Sequence, residues 1–386
     1  MEKTVIIVGA GFAGLAAARA LGPLARRTPD LAVTLFDRHA FTTMVPSLPD
    51  LAGGRFASRH LTAPVASQLP ASIHFRQERV EALDFTNRTI TTAAGAYPYD
   101  HLIVAPGSVT DFRGFNQHPE ALHALDFLPD AERLSADFSA YVKSAGTPAV
   151  VIAGGGYTGL ELAASLRDAA LHLGKPARVT VVEFQKTLLP AMPDWVRAYM
   201  LKQAARLGLD IVTGASVSAF DGQNVTLSTG RILENVFLCW STGTKFPIAD
   251  VRGNHKQQRD GRFEVDQFLR LPAHPEVLAA GDAAAITQNG AILRKAVNFS
   301  RDSGRAAGLN VARALQGQPP VPCKPVDLGW VIPFGDAGVG LLFSKIGVRG
   351  RLPLMLHYLM CGLRNFNAGN RLFYWKTALA ALFRAS

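Results

Sequence analysis

Cysteine is scarce: Cys239, Cys323 and Cys361 are the only three in 386 residues, with no Cys-x-x-Cys pair and no His/Cys spacing suited to zinc. That scarcity argues against a disulfide scaffold or a bound metal and makes a reducing compartment the expected one. Long apolar runs are missing as well. No uninterrupted stretch reaches the ~18 residues that a membrane-spanning helix needs. The opening Met-Glu-Lys passes straight into the strand-like Thr4 to Val8, without the three-part form of a signal peptide. Acidic residues run out after Asp336, while Lys345, Arg349, Arg351, Arg364, Arg371, Lys376 and Arg384 follow it. Repeats and low-complexity tracts are absent too. The 35 glycines and 23 prolines are spread along the chain, as suits an α/β protein with many tight turns.

What is present is a chain of 48% apolar residues, long enough for two ordinary domains and a smaller appendage, with a net charge of +10. Such a charge suits nucleic acid, an anionic membrane surface or anionic cofactors, and does not by itself choose among them. No helix-turn-helix, finger or aromatic sheet motif accompanies it, so nucleic acid is not expected as a partner.

The apolar strand Thr4 to Val8 runs into Gly9-Ala10-Gly11-Phe12-Ala13-Gly14, followed by an alanine-rich helix over Leu15 to Leu21. Gly9 would make the tight turn, Gly11 would let the backbone approach a pyrophosphate, and Gly14 would bring helix and strand close. The phosphates would sit at the helix N-terminus, where free N–H groups and the macrodipole favour anions. A second strand, Ala32 to Phe36, ends at Asp37 with Arg38 beside it, and a carboxylate there can accept hydrogen bonds from a ribose diol. The whole unit recurs: a strand Ala149 to Ala153, then Gly154-Gly155-Gly156-Tyr157-Thr158-Gly159, a helix from Leu160, and a strand Arg178 to Val182 ending at Glu183. Either motif alone could be a glycine turn with no nucleotide; two complete units point to two dinucleotides. Glu183 repels a 2′-phosphate and favours NADH over NADPH, a preference that the nearby Lys186 moderates. Further on, Val277 to Ala280 leads into Gly281-Asp282, where a chain returning to its first domain would need such a turn.

Together these residues resemble the two-dinucleotide-binding-domain flavoproteins of the glutathione-reductase-like class, over roughly residues 1 to 315. The resemblance implies that Gly9, Gly11, Phe12, Ala13, Gly14, Asp37 and Arg38 hold FAD, with Gly281 and Asp282 at its ribityl and pyrophosphate region. It implies equally that Gly154, Gly156, Tyr157, Thr158, Gly159 and Glu183 hold NADH. Tyr99 to Ser108, with Ala105 and Gly107, and Val236 to Gly243 look like that class's paired strand-to-glycine crossings. Disulfide reductases of the class carry a redox CxxxxC after the first glycine helix. Here Phe41-Thr-Thr-Met-Val-Pro-Ser47 has no cysteine, which excludes thiol chemistry at that face.

The segment Thr158-Gly159-Leu160-Glu161-Leu162-Ala163, the Gly335-to-Gly350 loop region and the basic, apolar chain end are similar to type II NADH dehydrogenases, the single-subunit NADH:quinone oxidoreductases. In that family an Ala-Gln-x-Ala-x-Gln-Gln-Gly segment lies beside the flavin and lines the quinone site. The matching stretch, Val297-Asn298-Phe-Ser-Arg-Asp-Ser-Gly304, keeps only the last glycine and the amide character at Asn298, and a helix over Arg305 to Leu315 follows. Val297 and Asn298 are carried over as flavin-side residues; the departure bears on the electron acceptor. The implied reaction passes hydride from NADH to FAD and then two electrons to a membrane quinone, without proton pumping. Two flat rings must be placed face to face, and few side chains need react. Glu161, in the first turn of the second glycine helix, is the expected catalytic residue near the nicotinamide, although a carboxylate there also simply complements the helix dipole.

The expected fold is α/β, with two Rossmann-like dinucleotide-binding domains and a C-terminal amphipathic helical module. The FAD domain would take residues 1–115 and 266–330, the NADH domain 116–265, and the module 331–386. Two apolar stretches, interrupted by Arg364 and Arg371 and carrying Tyr374 and Trp375, are expected to lie in the headgroup zone of an anionic membrane. Packing on the protein's own core, or across a homodimer, is the alternative. The expected location is peripheral, on the cytoplasmic face of the cell membrane. A sulfide:quinone reductase is a rival reading, which Cys323 and Cys361 could in principle serve. Another rival is a flavin-containing NADH sensor in which turnover is incidental.

Overall fold

A computed structural model describes residues 2–383. The chain forms two compact units. One comprises residues up to Thr42, Ala63–Val109 and Lys245–Asp327; the other comprises Thr43–Thr62, Thr110–Thr244 and the chain from Leu328 onwards.

In the first unit the strands Arg270–Leu271, His274–Ala279, His101–Val104, Lys3–Val8, Leu31–Asp37 and His74–Gln77 make one sheet in that order. All its pairings are parallel except that of the edge strand Arg270–Leu271. Val5, Ile7, Val33 and Leu35 are completely buried, as strands covered on both faces must be, hence their unbroken apolar runs. The helix Phe12–Arg27 turns its alanines inward and packs against the helix Val297–Leu315. The contact is backbone to backbone: a Cβ on Gly304 would lie 2.0 Å from the carbonyl oxygen of Ala13, and one on Gly308 2.4 Å from that of Ala17. The helix therefore begins at Val297, eight residues before the expected start at Arg305.

The domain boundary also moves. Asp250–Arg252 pairs in parallel with Val80–Asp84, and Phe263–Glu264 with Ala284–Ala285. These pairings draw residues 245–265, expected in the NADH domain, into the first unit.

The second unit is built on a parallel sheet ordered Asp210–Thr213, Arg178–Glu183, Ala149–Ala153, Val236–Trp240. Gly335–Gly350, expected as a loop region, is largely sheet: Gly329–Phe334, Ala337–Leu342 and Ile346–Gly350 form an antiparallel meander. Its Ile332, Phe334 and Val339 join the same buried cluster as Val150, Ile152, Leu160 and Phe237. The meander thus belongs to the second unit's core. Two helices follow, Arg351–Arg364 and Ala368–Phe383, and they pack so closely that a Cβ on Gly362 would sit 2.6 Å from the indole of Trp375.

Each of these helices has one buried face, carrying Leu354, Tyr358 and Cys361 on the first and Tyr374, Ala378 and Ala381 on the second. Tyr374 is fully buried, which corrects its expected place at a membrane boundary; Trp375 is 40% exposed. Arg384 lies outside the described residues. Among those residues no helix is long and apolar enough to cross a membrane.

Candidate functional site

The two glycine turns repeat one another residue by residue. Gly9 and Gly154 have φ of +100° and +109°. A Cβ on Gly9 would lie 2.2 Å from the Ala105 carbonyl oxygen, and one on Gly154 2.3 Å from that of Ser241. A Cβ on Gly14 would lie 1.8 Å from the oxygen of Gly9, and one on Gly159 2.1 Å from that of Gly154. The protein's own backbone demands these four glycines. Gly11 and Gly156 differ: a Cβ there meets nothing within 4 Å, and each residue caps the N-terminus of its helix, Phe12–Arg27 or Tyr157–His172. Both glycines thus leave open space at a helix N-terminus, the end whose dipole favours anions.

Both acidic residues do a second job. Asp37 accepts hydrogen bonds from the Ala10 N–H at 2.7 Å and the His39 N–H at 2.8 Å. Glu183 accepts from the Gly155 N–H at 2.7 Å and the Gln185 N–H at 2.8 Å. Each carboxylate ties its glycine turn to the end of the neighbouring strand, and its remaining lone pairs stay available to a ribose diol. Directly after Glu183, Phe184 stands 72% exposed, a flat apolar surface at the mouth of the second turn. Sequence reasoning passed over it; the signal was a large aromatic within the otherwise polar stretch Glu183 to Thr187.

The first unit also gathers Arg38, Ala105, Gly107, Gly281, Asp282, Val297 and Asn298. Asp282 accepts a hydrogen bond from the Ser108 hydroxyl at 2.8 Å, next to Gly107. Gly281, at φ +63°, donates its N–H to the Ser303 hydroxyl at 2.9 Å and leaves no room for a Cβ against Ala13. The Gly-Asp turn is thus pinned between the two helices that meet at Gly304. Asp282, Arg262, Lys295, Phe299 and Ser300 line a small pocket at the start of the Val297–Leu315 helix. Burial pulls the Lys295 ammonium below the usual lysine range, while Asp282 and Asp260 oppose it. The amide of Asn298 donates to the Val326 carbonyl at 2.8 Å, so it anchors the following chain.

The second unit gathers Gly154, Gly156, Tyr157, Thr158, Gly159, Glu161, Glu183 and Gly243. Gly243, at φ +117°, accepts the Asp111 N–H just beyond the strand Val236–Trp240. Glu161 is half-buried on its helix. Burial raises its carboxyl well above the usual range; Asp50 adds to the rise, and Arg55 opposes it.

Burial also pushes all three thiols up, that of Cys323 to about 12, and each cysteine is free. None has the electropositive, exposed setting that produces a reactive thiolate.

Two Rossmann-type cradles, each closed by a strand-end carboxylate, define a protein built to handle two dinucleotides. Residues 3–302 match the pyridine nucleotide-disulphide oxidoreductase family, and the chain belongs to it. An NADH dehydrogenase-like protein of Mycobacterium tuberculosis is 30% identical over 349 residues, covering 86% of each chain. A type II NADH:quinone oxidoreductase of Staphylococcus aureus is 23% identical over 369 residues, covering 89% of this chain and 90% of the relative. Two solved structures share the fold at a TM-score of 0.78: NDH2 of Plasmodium falciparum, 14% identical and covering 99% of both chains, and the sulfide:quinone oxidoreductase of Aquifex aeolicus, 18% identical and covering 99% of this chain and 95% of that one.

Proposed function

We propose that this protein is an FAD-dependent NADH:quinone oxidoreductase of the type II kind. The observation that carries the reading is the exact repetition of one cradle in two units, the second closed by Glu183, whose charge disfavours a 2′-phosphate. Gly9, Gly11, Gly14, Asp37, Ala105, Gly107, Gly281 and Asp282 would hold FAD, with Phe12, Ala13, Arg38, Val297 and Asn298 around it. Gly154, Gly156, Tyr157, Thr158, Gly159, Glu183 and Gly243 would hold NADH, with Phe184 offering its exposed ring to the adenine. When bound, the flavin accepts hydride from the nicotinamide and passes two electrons on. The chain's own part is to fix both nucleotides, exclude water and supply a proton, for which Glu161 is the acid: its burial favours the neutral carboxyl. The sum is NADH, one proton and quinone giving NAD⁺ and quinol.

A lipid-soluble acceptor is supported by the exposed face of the last helix. There Leu372, Trp375, Leu379 and Phe383 recur with Arg371 and Lys376 beside them, as in a helix lying on an anionic surface. We place the protein peripherally on the cytoplasmic face of the membrane. A sulfide-oxidising role is disfavoured by the buried thiols of Cys239 and Cys361 and the weakly acidic thiol of Cys323.

The test is steady-state NADH oxidation by the flavin-loaded protein with a short-chain ubiquinone or menaquinone analogue, and sulfide tried separately as donor. Quinone-dependent turnover at least tenfold above the oxygen background is expected, with Glu161→Gln reducing it by roughly 10²-fold or more. Flavin reduction by NADH with no quinone turnover would sink the reading in favour of another acceptor or of sensing.

A further inference from the structure

The second unit contains a buried acid cluster that no dinucleotide contact explains. Asp50, 4% exposed, sits on the short helix Leu48–Ala52. Its Oδ1 accepts the Tyr358 hydroxyl at 3.0 Å and pairs with the Arg55 guanidinium at 2.9 Å. Arg55 also donates to the Ser165 hydroxyl at 2.7 Å. Ser165 lies one turn beyond Glu161 on the helix Tyr157–His172, so the two side chains share a face. The Arg55 guanidinium is thus held between Asp50 and the helix face that Ser165 shares with Glu161.

The other titratable groups packed here are His357, Tyr358 and Cys361 from the helix Arg351–Arg364, Tyr374 from the last helix, and Asp168, which is paired with Arg167 on Glu161's own helix. Nε2 of His357 is 3.7 Å from the Cys361 sulfur, which in turn is 3.9 Å from the Ser47 hydroxyl. Burial pulls His357 down to about 4 and pushes the Cys361 thiol and the Tyr358 and Tyr374 phenols up, so all four are neutral at pH 7. The charges left to act on Glu161 are those of Asp50 and Arg55.

Resting on the function proposed above, we propose that Asp50, held between Arg55 and Tyr358 at the helix face that Ser165 shares with Glu161, is a positioning residue for Glu161, acting through its ion pair with Arg55 on the carboxyl that gives its proton to the acceptor. The Glu161 O–H bond breaks as a quinone oxygen takes the proton. The two electrons and the other hydrogen originate in the hydride of NADH, and solvent restores the proton on Glu161. Asp50 and Tyr358 touch neither acceptor nor nucleotide in this scheme; they act through Glu161.

Two readouts test it in the flavin-loaded enzyme: the alkaline limb of kcat against pH, and an infrared titration of the protonated carboxyl stretch that Glu161→Gln removes. Asp50→Asn deletes the anion, so both limb and band should move down by about one pH unit or more. Arg55→Gln deletes the cation and should move them up. Tyr358→Phe keeps both charges and should leave them within about half a unit. Shifts of opposite sign cannot come from general loosening of the fold. Superimposable limbs and bands for the wild type, Asp50→Asn and Arg55→Gln would overturn the proposal. If the wild type reduces no quinone, the functional reading fails, and the infrared titration alone still decides whether Asp50 controls Glu161.

Discussion

A methyl group added at Gly11 or Gly156 meets open space, while one added at Gly14 or Gly159 drives into the backbone of its own turn. The same residue type is therefore required for two reasons within each motif, and substitution separates them. Gly11→Ala, at an ordinary φ of −78°, should leave the melting of flavin-free protein within about 1 kcal/mol of wild type while abolishing retention of flavin on a desalting column. Gly14→Ala should fail to accumulate as folded protein, because its Cβ has only 1.8 Å to a carbonyl oxygen that the turn holds in place. If Gly11→Ala retained its flavin, the cradle at the first helix N-terminus would not be the pyrophosphate site. Asp37 and Glu183 show a comparable doubling of purpose. Their bonds to the glycine turns mean that alanine at either position should loosen the turn, in addition to removing the ribose partner proposed above.

At the scale of elements, what was legible in the sequence followed from backbone constraint. Strands such as Lys3–Val8 and Ala149–Ala153 are covered on both faces and so must be apolar throughout, and the glycine spacing is dictated by close backbone approach. The helix Val297–Leu315 was legible only from Arg305 on. Asn298, Ser300, Asp302, Ser303 and Gly304 are weak helix formers, and what holds them helical is distant in sequence: Gly304 and Gly308 pressed on Ala13 and Ala17, and the Ser303 hydroxyl bonded to the Gly281 N–H. The acid cluster was equally hidden, because Asp50 and Tyr358 meet across 308 positions and neither belongs to a motif. Glu161 could be singled out, but its neighbours could not. The resemblance of the Val297–Gly304 stretch to a quinone-lining segment also acquires a structural reason for the glycine it kept. Gly304→Ala should push the two helices apart and cost about 1–3 kcal/mol in urea denaturation, whereas Gly146→Ala, where a Cβ meets nothing within 4 Å, should leave the midpoint in place.

For the whole molecule, the charge excess of +10 and the acid-free end after Asp336 bear on where the protein sits. The C-terminal helices are not loose amphipathic segments, since each buries a full face, including Tyr374, in the second unit. Only their outer face is left for a surface, and on the last helix it presents Leu372, Trp375, Leu379 and Phe383 at 52%, 40%, 59% and 79% exposure. Their spacing of three and four residues keeps them on one side. Burial of a leucine or aromatic side chain contributes about 1.5–3 kcal/mol, and each nearby cation about 1 kcal/mol at an anionic surface. Co-sedimentation should therefore show binding to vesicles rich in phosphatidylserine or phosphatidylglycerol that weakens as salt rises, and weaker binding to phosphatidylcholine alone. The double change Leu379→Ser with Phe383→Ser removes the two most exposed apolar anchors of this face, so it should lower vesicle affinity by at least about tenfold with melting temperature unchanged. Unaltered affinity would move the membrane contact elsewhere. A loss of affinity accompanied by a halving of solution mass would assign the same face to a second copy of the chain, with a quinone then reached by some other route.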